Sequence, residues 1–146
     1  MSNLFLNKLD NMKYLFCFAI LFFPLFCFSQ SSYDKLTIGT WEGDIDGGGL
    51  PNKKLKIVIT KSNYHKGSCE GYSMVNNSNK TNFSGKLIVE ADMPIIEGFE
   101  PKTNPKNGIF NLEFGCFEND EIINDLCCGT WISYDKKINR KIRVKK

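Results

Sequence analysis

The sequence predicts an all-β fold: an up-and-down antiparallel meander of about eight short strands, closed or nearly closed into a barrel. Three observations carry this. Beyond residue 38, apolar and polar residues alternate with a period of two, the pattern of half-buried strands. Clusters of Gly, Asn, Asp and Pro punctuate that alternation at regular spacing. No stretch shows a 3.6-residue apolar period, so the connections are read as hairpins rather than crossover helices. Closure would remove the sheet edges that an exported all-β domain must protect.

The chain of 146 residues is long enough for one domain. Residues 1–29 read as a cleavable signal peptide. Lys8 and Lys13 precede a nearly unbroken apolar run from Tyr14 to Phe28, shorter than the ~20 residues of a spanning helix. Small residues at Cys27 and Ser29 place cleavage after Ser29. Met1 and Met12 are alternative starts. The remainder, 30–146, is then a single exported β-domain, secreted or periplasmic, with no stable membrane span.

Ser31 to Lys35 is a short polar lead. In the first strand Trp41, Gly43 and Ile45 alternate with Thr40, Glu42 and Asp44. Asp46 to Asn52, with three successive glycines, is read as a flexible loop. Leu55, Ile57 and Ile59 form one face of the second strand. Cys69, Gly71, Ser73 and Val75 do so in the third, and Phe83, Gly85, Leu87 and Val89 in the fourth. Pro94 interrupts, and Ile95 to Phe99 is a short fifth strand at an irregular rim. Pro101 and Pro105 frame a loop. Phe110, Leu112, Phe114 and Cys116 share a face of the sixth strand, and Ile122 to Tyr134 is a long seventh. In the last, Ile138, Arg140, Ile142 and Val144 alternate with basic and polar residues. The motif Gly39-Thr40-Trp41 near one end is echoed by Gly129-Thr130-Trp131 near the other, and these hold the only two tryptophans.

Cys69, Cys116, Cys127 and Cys128 are disulfide candidates, because an even number of cysteines in a small exported chain suggests bridges. A bond between the neighbours Cys127 and Cys128 would be strained. Two bridges would therefore give Cys69 and Cys116 one partner each from that pair, and one bridge with two free thiols is the alternative.

Gly39-Thr40-Trp41 on the first strand, a following meander and a late arginine resemble the calycin group: lipocalins, fatty-acid-binding proteins and avidins. In that group the Gly-x-Trp tryptophan closes one end of the barrel and a late arginine packs over it. The resemblance makes Trp41 the plug and Arg140 or Arg143 its cover, in a lipocalin-like barrel. It covers the domain in pattern, and its specific part is three residues. The helical lid of fatty-acid-binding proteins, the lipocalin Thr-Asp-Tyr motif and the biotin-contacting set of avidins have no counterpart, so ligand identity does not transfer.

A net charge of +3 is too mild to point to nucleic acid. His65, the only histidine, lies on a turn, and the cysteine spacings fit no zinc pattern, so no metal or cofactor is expected. The chain is expected to be a non-catalytic binding protein with a small apolar ligand or another exported protein as partner. Phe83, Phe110, Leu112, Phe114 and Trp131 are candidates to line a ligand space, although a domain of roughly 115 residues leaves little interior to spare and favours a filled barrel. The alternatives are an inhibitor or immunity-type module acting through the loops at 46–52 and 100–107, and, more remotely, a glycan-processing enzyme. For the last, Glu42, Asp44, Glu70, Glu90, Glu97 and Glu113 supply carboxylates, but no pair is marked by its neighbours.

Overall fold

A computed structural model describes residues 31–146; the signal peptide expected over 1–29 lies outside them. A short helix, α1 (Ser32–Thr37), leads into eight strands: β1 (Gly39–Gly47), β2 (Leu50–Asn63), β3 (Ser68–Val75), β4 (Thr81–Glu90), β5 (Met93–Phe99), β6 (Gly108–Glu118), β7 (Glu121–Ser133) and β8 (Asn139–Lys145). Each pairs antiparallel with the next, and β8 pairs with β1 to close the barrel. The all-β meander read from the alternation is therefore the fold.

The alternation also sets the faces. Trp41 and Ile45 of β1, Leu55, Ile57 and Ile59 of β2, Phe83 and Leu87 of β4, and Phe110, Leu112 and Phe114 of β6 turn inward into one buried cluster. Their neighbours along each strand face outward, where Glu42 pairs with Lys56, Asp44 with Lys54, and Glu70 with Lys61. These exposed ion pairs add little stability, but they occupy three of the carboxylates considered for glycan chemistry.

Four local expectations are corrected. The polar lead at 31–35 is part of a helix capped by Ser31, whose Oγ accepts from the Tyr33 N–H at 3.2 Å. The loop at 46–52 shrinks to Gly48-Gly49, both at positive φ, because glycine enters the left-handed region without steric cost and permits a two-residue hairpin turn. β2 consequently begins at Leu50. Pro94 lies within β5: it pairs with Val89 of β4, while pairing to β6 starts only at Ile95, so its missing N–H breaks no bond on that side. Lastly, a register shift between Phe114 and Cys116, with Gly115 at φ +84°, separates Cys116 from the inward row of Phe110, Leu112 and Phe114.

The two ends of the barrel differ. At one end α1 is tied in place by Asp34, whose Oδ1 accepts from Ser62 Oγ at 3.1 Å and from the Tyr64 N–H at 2.8 Å. Trp41 sits beneath it, 1% exposed, edge-on to Phe114 and donating from Nε1 to the Thr37 carbonyl at 2.9 Å. At the other end lie the β1–β2, β3–β4, β5–β6 and β7–β8 connections, and there the interior is not filled.

Candidate functional site

The cavity at this open end has a volume of about 350 Å³. Its apolar wall comes from inward positions on five strands: Ile45, Leu55, Val75, Phe110 and Trp131. Ser73, Glu100 and Arg140 add polar groups from the interior, and Lys53 and Lys106 also line it. This size lies near the lower end of the roughly 300–1,000 Å³ typical of small-molecule sites.

Two buried charges define its chemistry. Glu100, 6% exposed, follows β5 directly. Its carboxylate accepts from Ser73 Oγ at 3.1 Å, from the Gly108 N–H at 2.8 Å and from Trp131 Nε1 at 3.1 Å. Three donors on one carboxylate offset much of the cost of burying it. The same contacts fix the base of the β5–β6 loop, to which Tyr134 adds a hydrogen bond from its hydroxyl to the Glu100 carbonyl. Burial, followed by the Glu100 charge, raises the Tyr134 phenol above its ordinary value.

Arg140 is less fully served. It takes an inward position on β8 and is 5% exposed. Nη2 donates to the Ile45 carbonyl at 2.9 Å and the Pro51 carbonyl at 2.7 Å. Nε is buried without any partner, and among the described residues no carboxylate pairs with this guanidinium. A buried cation that meets only carbonyl dipoles, with one N–H unsatisfied, costs free energy, and Arg140 is one of the residues that line the cavity.

Of the five side chains singled out as candidate lining, Phe110 and Trp131 face this cavity. Leu112 and Phe114 are buried in the packed cluster towards Trp41. Phe83 also belongs to that cluster and stands against Phe110, ring centroids 5.7 Å apart. The barrel is thus closed under α1 at one end and opens into this cavity at the other.

The cover over Trp41 is neither expected arginine. Arg140 lies by the end of β1, far along the strand from Trp41, and Arg143 faces outward in an ion pair with Glu118. The cation over the indole is Lys146, its Nζ 5.3 Å from the ring and donating to the Lys35 and Leu36 carbonyls at the end of α1. Burial lowers the Lys146 pKa.

All four cysteines in the described residues are free thiols. Cys69 and Cys127 are buried within the core on β3 and β7. Burial pushes Cys69 up to about 12 and holds Cys127 well above the ordinary thiol range. Cys116 donates to the Glu113 carbonyl at 3.1 Å; burial first, then the neighbouring Cys128, pushes its thiol up to about 12. His65 packs against Tyr64 with the rings tilted by 53° at the helix-capped end, away from the cavity.

Sequence reasoning missed Glu100 and Ser73, which carried no signal beyond ordinary polar residues. Arg140 did carry one: a charge at an inward position between apolar neighbours. Compared with known proteins, the chain matches no family model, no curated protein and no solved structure.

Proposed function

We propose that this protein is an exported, non-catalytic binding module of calycin type that holds a compact, mainly apolar ligand in the mouth of its barrel. The observation that carries this reading is the asymmetry of the interior. Packed side chains fill the end under α1, whereas the other end keeps a cavity of about 350 Å³ with an apolar wall. The calycin comparison is supported by two features together: an eight-stranded closed meander that opens on a Gly-x-Trp strand, and a late cation over that tryptophan, here Lys146 in place of an arginine. Native mass spectrometry of the protein purified from its own host's exported fraction tests the reading. A small molecule bound one-to-one, and absent from a Val75→Phe variant that fills the cavity, supports it. A bare mass for both forms contradicts it.

A protein-facing role is a second reading, favoured by one observation away from the mouth. Phe117 and Ile122 face each other across the β6–β7 hairpin, 61% and 54% exposed, beside the acidic residues Glu118, Asp120 and Glu121. Exposed apolar pairs on a hairpin tip suit contact with another macromolecule. Light scattering of the wild type against a Phe117→Ser, Ile122→Ser double variant tests whether that contact is with a second copy. A fall in molar mass supports self-association, and an unchanged monomer mass rules it out.

A further inference from the structure

We infer that the ligand of the barrel mouth carries an anionic group, a carboxylate or its like, held by Arg140, and that its body is a ring system or short chain. This rests on the reading of the mouth as a ligand site. It begins with the unsatisfied Nε of Arg140, a buried donor on a side chain that lines the cavity. The only buried carboxylate in the same wall does not answer it, because Glu100 is committed to Ser73, Gly108 and Trp131.

The surroundings favour the same sign. Lys53 and Lys106 line the cavity, and neither forms an ion pair among the described residues. Three basic side chains therefore meet one acidic side chain whose oxygens are already engaged. The apolar wall lowers the local dielectric, which strengthens a pairing between guanidinium and anion and raises the cost of leaving the guanidinium unpaired. A neutral apolar ligand would cover Arg140 without satisfying it. A bare inorganic ion would satisfy it without using Phe110, Leu55 and Ile45. A compact organic anion does both.

Two fluorescent probes separate these cases: 1-anilinonaphthalene-8-sulfonate and N-phenyl-1-naphthylamine, the same ring framework without the sulfonate. Equilibrium titration of the folded protein is expected to show saturable binding of both, removed by Val75→Phe. The sulfonate should bind about ten-fold tighter, the effect of one charge-assisted pairing. Arg140→Gln should abolish that preference while leaving the neutral probe's Kd within about three-fold. Lys53→Gln and Lys106→Gln, whose side chains support neither strand pairing nor core, should each narrow the preference by about two-fold and so keep the test independent of the folding of the Arg140 variant. Equal affinity for the two probes in the wild type overturns the anion inference and leaves a mouth that takes neutral ligands. Saturable binding of neither probe, or binding unaffected by Val75→Phe, overturns the mouth reading itself and the anion inference with it.

Discussion

Truncation of Trp41 probes the closed end of the barrel. The indole is 1% exposed, meets Phe114 edge-on at 4.9 Å, and donates to the Thr37 carbonyl. A buried tryptophan removes up to about 250 Å² from water, and at roughly 25 cal/mol per Å² most of that is lost on truncation to alanine. The hydrogen bond contributes about 1 kcal/mol more. Incomplete burial relative to a real unfolded chain reduces the sum, so Trp41→Ala should cost about 3–5 kcal/mol. Trp41→Phe keeps a ring against Phe114 but leaves the Thr37 carbonyl without its donor, and should cost about 1–2 kcal/mol. Urea unfolding followed by circular dichroism measures both as shifts in midpoint at unchanged slope. A Trp41→Ala loss under 1 kcal/mol, or a phenylalanine variant as damaged as the alanine one, would refute the assignment of Trp41 as the plug.

Further expectations concern the turns and thiols. Ala91 adopts φ +47° in the β4–β5 hairpin, a region unfavourable to a side chain, so Ala91→Gly should raise stability by about 0.5–1 kcal/mol in the same unfolding assay. Burial raises Cys69 from 9 to about 12, so its fold-stabilising contribution is complete below pH 9 and is lost as pH rises towards 12. A Cys69→Val variant should accordingly lose less stability than the wild type across that window, and parallel alkaline curves would contradict this. When the protein is oxidised with a small-molecule disulfide such as oxidised glutathione, two thiols are converted to a protein disulfide as the reagent is reduced to its thiol. Non-reducing peptide mapping should then find Cys116 joined to Cys128, with Cys69 and Cys127 still free; a Cys69–Cys127 bridge would show that the thiol positions are misread.

All eight strands were legible in the sequence because each carries its own period-2 signal and depends little on its neighbours. The helix was not, because six residues are too few for helical periodicity. Its only mark was the spacing from Ser31 to Asp34, a serine cap followed three residues later by an acid. The facing of Cys116 failed at Gly115: counting by twos cannot see a bulge. Arg140 is the most instructive case. Its inward position on the last strand was readable, and so was the pairing of first and last strands. Its placement over Trp41 nevertheless ignored strand direction. β1 and β8 run antiparallel, so Arg140 at the start of β8 lies by the end of β1, and only the final residues of the chain reach Trp41. The cavity itself was beyond sequence reasoning, because it depends on which inward side chains pack across the barrel. Phe110, Leu112 and Phe114 follow one another on one face, yet only Phe110 reaches the open space.

The most direct test of the account is a ¹H–¹⁵N chemical-shift map of the protein titrated with either naphthylamine probe. The account predicts that shifts converge on Ser73, Val75, Glu100, Asn107, the Trp131 indole N–H and Arg140, while the residues around Trp41 stay unmoved. Shifts centred on the β6–β7 hairpin or scattered over the outer faces of the strands would contradict a ligand site at the barrel mouth.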